Sequence, residues 1–297
     1  MSKITLALSS TQISEAFKCP HAWSLGFREN LAKADRVTTA LDEGSLIHAM
    51  LESYYTLRAY APHISMFEHG KAVIEVFSKN LVYTSYGVDA KRWEFLCNRF
   101  TQYLCRYSQS DFKVLVKKNT PAIEVGFSKV LFEDAKYLFL VESRLDLIVT
   151  LNDEAAWVDH KSQMQVGDLY RYNPQFLTYA WATKLKRGVI NYFRTHSTYN
   201  DKNTFNKELI TFPEWLVEEW EQELLKLYFK LAQVLEHHGV DCPSDAFKRE
   251  RAACGGAFGK TPCQFTQLCE TNDAAMRHNI KQFSYAKNPP RRSWDLK

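Results

Sequence analysis

The sequence has no uninterrupted apolar stretch long enough to cross a bilayer, and no basic segment running into an apolar one opens it. A membrane-spanning or secreted protein is therefore not expected, and a cytoplasmic location is. No internal repeat or low-complexity tract appears in the 297 residues, which argues against a solenoid and leaves one large domain or two of ordinary size. A strong excess of one charge is missing too. With 38 Lys and Arg against 34 Asp and Glu, the net charge is +4, too weak to demand a nucleic-acid partner but compatible with one met through a local basic face. Cysteines do not come in an even set. Seven of them, in a compartment expected to be reducing, read better as metal or cluster ligands plus free core thiols than as disulfides. What is present is globular composition, 45% hydrophobic and 24% charged, enough to bury a sizeable core.

Periodicity divides the chain into three regions of one integrated domain. The first, 1–118, reads as helical: Ser9-Ser10-Thr11 precede Ile13, Ala16 and Phe17 at helical spacing. A longer helix is expected from about 42 to 60, with Ile47, Leu51, Tyr54 and Tyr55 on one side, and further helices around 67–85 and 91–107. In the second, 119–212, segments near 121–132, 137–150 and 155–161 have strand composition bounded by polar turns. Asn173-Pro174 starts a helix that carries Gln175 through Lys184, and strands are expected at 189–196 and 209–212. The third, 213–297, holds a long amphipathic helix over 213–238 and then a mostly irregular, cysteine-bearing tail with basic residues. The class is α+β, a small central mixed sheet flanked by helices.

The densest chemistry lies in the stretch from Arg144 to Lys161. If Asn152-Asp153 forms a two-residue hairpin loop, a pair that tolerates the positive φ such a loop needs, Leu151 faces Glu154. Asp146 then stands opposite Asp159. Lys161 emerges on the face of Asp159, because side chains alternate along a strand. Two opposed carboxylates repel each other, and a hard cation such as magnesium, which takes one or two carboxylates and completes its shell with water and phosphate, would relieve them. A metal there would polarise a phosphodiester, with Lys161 orienting water and stabilising phosphate charge. The simpler reading is a surface hairpin in which Lys161 merely neutralises two aspartates.

Further residues follow a recognisable order: Cys19-Pro20 with Trp23, Gly44 with His48, Asp146, Asp159-His160-Lys161, and Gln175 with Tyr179 one turn apart. In this order the chain resembles the RecB-like branch of the PD-(D/E)XK nuclease superfamily. Within that branch it is most similar to the iron–sulfur exonucleases related to AddB and the nucleases of CRISPR adaptation, over about residues 7–270. The resemblance implies that His48, Asp146 and Asp159, with the backbone carbonyl of His160, ligate a catalytic Mg2+ or Mn2+. It implies that Lys161 positions the attacking water, and that Gln175 and Tyr179 support the site and contact DNA. One departure stands out: Ser143 occupies a position where the family often has glycine.

Cys254, Cys263 and Cys269 fall within sixteen residues, and Gly255, Gly256 and Gly259 lie between the first two. The family pairs an N-terminal Cys-Pro with such a trio around a [4Fe–4S] cluster, which makes Cys19 the fourth ligand by resemblance. Free thiols or a zinc site with the same ligands remain open, and Cys242 rivals Cys254. Cys97 and Cys105 read as inert core residues. Lys117-Lys118, Lys184 with Lys186-Arg187, Lys248-Arg249 with Arg251, and Arg291-Arg292 are candidate phosphate contacts, Arg251 being carried beside the cysteines. The expected activity is that of a DNA exonuclease on linear or single-stranded DNA, with recombination or replication proteins as possible partners. The alternatives are a non-catalytic DNA-binding recombination scaffold of the same fold and a structure-specific endonuclease.

Overall fold

Asn152 and Asp153 take φ of 51° and 62°, the left-handed values a tight two-residue turn requires, and this fixes the hairpin around them. The structure is a computed structural model that describes residues 3–33, 39–108, 112–162, 172–195, 204–254 and 263–287, the side chains of 39–42 excepted. The glycines between Cys254 and Cys263, Pro262, Arg291 and Arg292 lie outside the described residues. By contact density the chain divides into two units, each built from separate stretches of sequence.

The second unit comprises Val37–Val125 and Arg144–Glu214. Helices α3 (Thr39–Tyr60), α4 (Met66–Lys79) and α5 (Ala90–Arg106) match the helical reading of this region. A full capping box starts α4, in which Ser65 Oγ accepts from Glu68 N and the Glu68 carboxylate accepts from Ser65 N. Here the later part of β7 (Tyr137–Leu151) pairs antiparallel with β8 (Glu154–Lys161), with Leu151 opposite Glu154 and Leu147 opposite Val158. Next, β8 runs parallel to β9 (Arg187–Phe193), which is antiparallel to β10 (Phe205–Thr211), so the sheet is mixed. Buried Leu147, Val149, Ala156, Val158, Val189 and Phe193 from the strands form one core with Leu46, Ile47, Leu51, Tyr54, Leu96 and Phe100 from α3 and α5.

The first unit comprises Met1–Arg36, Gly126–Ser143 and Trp215–Lys297. It opens on β1 (Ile4–Ser9), which pairs parallel with the early part of β7, Ile4 beside Tyr137 and Ser9 beside Glu142. Reading the first third as wholly helical overlooked this strand; its alternating Leu6 and Leu8 are the buried side. Ser9 then caps α1 (Ser10–Lys18), its side chain accepting from Gln12 N. The amphipathic helix appears as α7 (Glu214–His238), packed through Phe229 on Phe132 and Phe139, while Tyr228 donates to Leu140 O at 2.6 Å. Beyond it the chain is more regular than its composition suggests. A helix over Ala274–Ser284, capped by Asp273, leads into a strand over Tyr285–Lys287 that pairs antiparallel with Leu31–Lys33. Leu25, Leu31, Phe265, Leu268, Ile280 and Tyr285 make a small core of their own. Ser143, the family's glycine position, is buried and hydrogen-bonds Ser10 Oγ at 2.8 Å.

One contact in the second unit links fold to site. The Trp157 indole lies beside Gly188, its neighbour on β9, and stacks on Phe176 of α6 (Pro174–Thr183) at 5.4 Å, edge-on to Tyr179 at 5.5 Å. A Cβ at Gly188 would come within 2.1 Å of that ring. Gly188→Ala is therefore expected to destabilise the protein by about 1–3 kcal/mol through overpacking. Urea unfolding measures this, and an unchanged midpoint would mean that the indole moves aside without cost.

Candidate active site

Asp146 and Asp159 sit one step beyond the paired stretch of the β7–β8 hairpin, where the register puts them opposite each other. Asp146 is held from two directions: His160 N donates to its Oδ2 at 2.6 Å, and His48 Nδ1 lies 3.5 Å from its Oδ1. His48 reaches it from α3. Gly44, one turn earlier on that helix, is buried, and a Cβ there would lie 2.8 Å from Ser162 Oγ just past Lys161, so a bare backbone suits this close approach.

Asp159 is engaged from the other side. Lys161 Nζ lies 2.7 Å from its Oδ2, and Gln175 Nε2 donates to its Oδ1 at 3.1 Å. Gln175 also donates to Tyr179 OH at 2.7 Å and accepts from Lys161 Nζ at 3.2 Å. The helix carrying this pair is positioned by its cap, because Asn173 Oδ1 accepts from Gln175 N at 2.9 Å. Tyr179 is 3% exposed, with its OH 3.3 Å from Arg144 O, so it is placed to support the carboxylate rather than to meet a strand in solvent.

Among the described residues, one set of three His, Cys, Asp or Glu side chains offers ligand atoms all within 4.8 Å of one another: His48, Glu124 and Asp146. Glu124 stands at the head of a strand, where a carboxylate is ordinarily solvated. Its side chain is instead 16% exposed, ion-paired with Arg144 at 2.6 Å and directed into the site. No spacing along the chain connects 124 with 146; the pairing of β6 (Ile123–Glu133) with β7 does. Glu124 also has φ of 50°, a left-handed conformation rare for a residue with a side chain, and such strain persists where the surroundings enforce it.

The electrostatics express crowding of like charge. Burial and the nearby Asp146 push the Glu124 carboxyl up to about 7, although Arg144 opposes the shift. Burial also raises Asp159, with Asp146 adding to the effect and Lys161 countering it. Burial penalises the Asp146 charge as well, but His48 and the His160 N–H outweigh it and hold that carboxyl well below its usual range. For His48, burial works against the charged form, yet Asp146 raises its pKa overall. His160 is lowered to about 3 by burial and stays neutral, its ring stacked on Tyr55 and its Nδ1 2.8 Å from Asn191 Nδ2. An imidazole and carboxylate oxygens converge around one point, where burial and the Asp146 charge raise the Glu124 and Asp159 carboxyls. That donor set fits a hard divalent cation.

A family model for the PD-(D/E)XK nuclease superfamily matches residues 7–270. The chain belongs to that superfamily. Asp159, His160 and Lys161 follow one another on β8 within the matched residues. Among solved structures, the chain is similar to SSO0001 (12% identity, covering 67% of this chain and 80% of that one, TM-score 0.33). It is also similar to LHK-Exo in complex with dAMP (13% identity, 64% and 93% coverage, TM-score 0.32). A third similar structure is the alkaline exonuclease LHK-Exo from Laribacter hongkongensis (13%, 61% and 88%, TM-score 0.31). No curated protein matches it. Among the described residues, no helix is long and apolar enough to cross a membrane.

Cys19, Cys242, Cys254, Cys263 and Cys269 belong to the first unit; Cys97 and Cys105 belong to the second, where Cys97 is half-buried and Cys105 is exposed rather than a core residue. Cys19 Sγ accepts from Glu250 N at 3.4 Å, and Cys263 N donates to Cys254 O at 3.1 Å. Burial pushes the Cys269 thiol up to about 11; Arg249 opposes this, while Cys254, Cys263 and Cys19 add to it. Cys263 is raised by burial and again by Cys254 and Cys19. Cys242 is in neither set of neighbours; it lies against Arg28, whose Nη1 is 3.7 Å from its sulfur. Among the described residues, no three of the sulfurs come within 4.8 Å of one another. Of the basic residues, Lys186, Arg187, Lys248 and Arg249 are each paired with a carboxylate, as in an ordinary solvated face, and Arg251 is exposed.

The raised Glu124 carboxyl gives a signed expectation. A group whose folded pKa exceeds its unfolded value favours the fold when protonated, so metal-free protein should lose stability as pH rises from 4.5 to about 7. Glu124→Gln should remove that part of the slope, worth at most about 3 kcal/mol. Urea titrations in EDTA at several pH values measure it, and parallel slopes for the two proteins would contradict the assignment.

Proposed function

We propose that this member of the superfamily is a divalent-cation-dependent deoxyribonuclease, acting as an exonuclease on linear or single-stranded DNA, of the RecB-like branch. The observation that carries the reading is the convergence of His48, Glu124 and Asp146 within 4.8 Å, together with the Lys161 ammonium 2.7 Å from Asp159. His48, Glu124 and Asp146 would hold the cation, Mg2+ or Mn2+, with Asp159 and the His160 carbonyl as further ligands. Bound there, it would supply charge stabilisation and water activation for phosphodiester hydrolysis. Lys161, held between Asp159 and Gln175, orients the attacking water and places positive charge where the phosphate gains negative charge. Gln175 and Tyr179 fix the Asp159 carboxylate against rotation. Asp146 stays ionised across the physiological range, as a ligand must.

Cys19, Cys254, Cys263 and Cys269 would hold a [4Fe–4S] cluster. A tetrahedral zinc, with Zn–S of about 2.3 Å, would bring its sulfurs to about 4 Å. A zinc held by the same four thiols is the alternative. Thiols raised by burial stay protonated alone and would release protons to a soft metal. Joining Cys19 to residues near 260 would constrain the unfolded chain by about 5 kcal/mol if it acts as a covalent cross-link does.

Two outcomes follow. Lys161→Ala should slow cleavage of linear single strands by roughly 100-fold or more while leaving oligonucleotide binding intact. Equal loss of both would make Lys161 a structural residue, and attack on circular strands by the wild type would replace exonuclease with endonuclease. Protein prepared without oxygen should be brown, and Cys263→Ser should bleach it and lower its unfolding temperature. Colourless wild type containing zinc would overturn the cluster.

A further inference from the structure

A groove in the first unit has no part in the site described above. It has a volume of about 500 Å³ and is lined by Arg28, Glu29 and Leu31 on one side and by His278, Lys281, Gln282, Tyr285 and Lys287 on the other. Its charge is lopsided. Arg28, Lys281 and Lys287 face a single carboxylate, Glu29, and that carboxylate is already engaged by Lys281 at 2.6 Å and by Ser244 N at 3.4 Å. Lys281 in turn holds the Glu29 carboxyl below its usual range, against the opposing effect of burial.

Arg28 is fixed in advance. Its Nη2 donates to Val240 O at 2.6 Å and its Nη1 to Cys242 O at 3.2 Å, while the guanidinium lies over the Phe247 ring at 4.9 Å. Nη1 also donates to Ser24 Oγ at 3.2 Å; these partners orient the group without neutralising it, so its charge remains available to an anion. Lys287 and His278 are exposed and, among the described residues, make no ion pair. Leu31 and Tyr285 give the groove an apolar component, and Phe283, next to the lining residue Gln282, is 77% exposed. Fixed and exposed cations beside apolar and aromatic surface are the combination that tracks a single-stranded backbone and stacks its bases.

We infer that this groove binds the phosphate backbone of a single-stranded nucleic acid, with Arg28 and Lys287 as its principal cations and Glu29 as a built-in competitor that occupies Lys281. The identity of the polyanion rests on the nuclease reading; the charge and shape of the groove do not. Lys287→Glu and Glu29→Gln should therefore move affinity in opposite directions.

The test is fluorescence anisotropy of a labelled oligothymidylate with the full-length protein, in EDTA so that no strand is cut, over a range of salt. Lys287→Glu should weaken binding about fivefold or more and reduce the salt slope by roughly one. Glu29→Gln, which leaves Lys281 without its anionic partner, should tighten binding. Lys71→Glu, exposed on α4, makes the same change in net charge elsewhere and is the control. A fall for Lys287→Glu no larger than the control's, or a Glu29→Gln protein that binds less tightly, overturns the groove while leaving the nuclease reading intact. Wild type that does not bind the oligonucleotide at all overturns both.

Discussion

Repulsion among buried carboxylates organises the second unit. Asp146, Asp159 and Glu124 lie within electrostatic reach of one another, and burial deprives them of the water that would screen them. Left alone they would separate or protonate. Opposed strands hold two of them, a strained backbone holds the third, and the neighbouring cations divide the work: His48 answers Asp146, Lys161 answers Asp159, and Arg144 answers Glu124. None of these pairs is an ornament of stability, since buried ion pairs recover their desolvation cost only with good geometry. Their arrangement is better understood as a demand for charge compensation at close range, met within the site by one cation for each carboxyl.

The support around that demand is apolar and precise in shape. Trp157 fills the space that Gly188 leaves and presses on Phe176 and Tyr179, so that the helix bearing Gln175 is set by core packing rather than by the site. The buried Asn191 beside His160 and the Tyr55 ring stacked on it fix the residue between Asp159 and Lys161, and so the peptide N–H that caps Asp146. Ligands placed by rigid strands and locked rotamers need little reorganisation when charge develops.

Much of this could be read from residue order. The Asn152-Asp153 turn specified its hairpin, and with it the opposition of Asp146 and Asp159, because a two-residue loop leaves one register. Asn173-Pro174 announced α6, and the amphipathic pattern over 213–238 announced α7. What escaped depends on contacts distant in sequence. Strand β1 is short and sits next to a strong helix cap, so its pairing with Tyr137–Glu142 has no local signature. Glu124 becomes a site residue only when β6 lies beside β7, and its left-handed backbone is what no propensity would assign to glutamate. The terminal helix over Ala274–Ser284 was obscured by the cysteines and basic residues around it, although Asp273 is an ordinary cap.

The partnership of Ile4–Ser9 with Tyr137–Glu142 also has a consequence in time. On a ribosome adding roughly 5–20 residues per second, β1 leaves the exit tunnel about ten seconds before its parallel neighbour exists. Through that interval its amides and carbonyls have no sheet to join, and α1 can form ahead of it as a local structure. Closure of so long a loop comes late, which marks the first unit as the slower to mature and its leading strand as the segment most exposed to mispairing in the nascent chain.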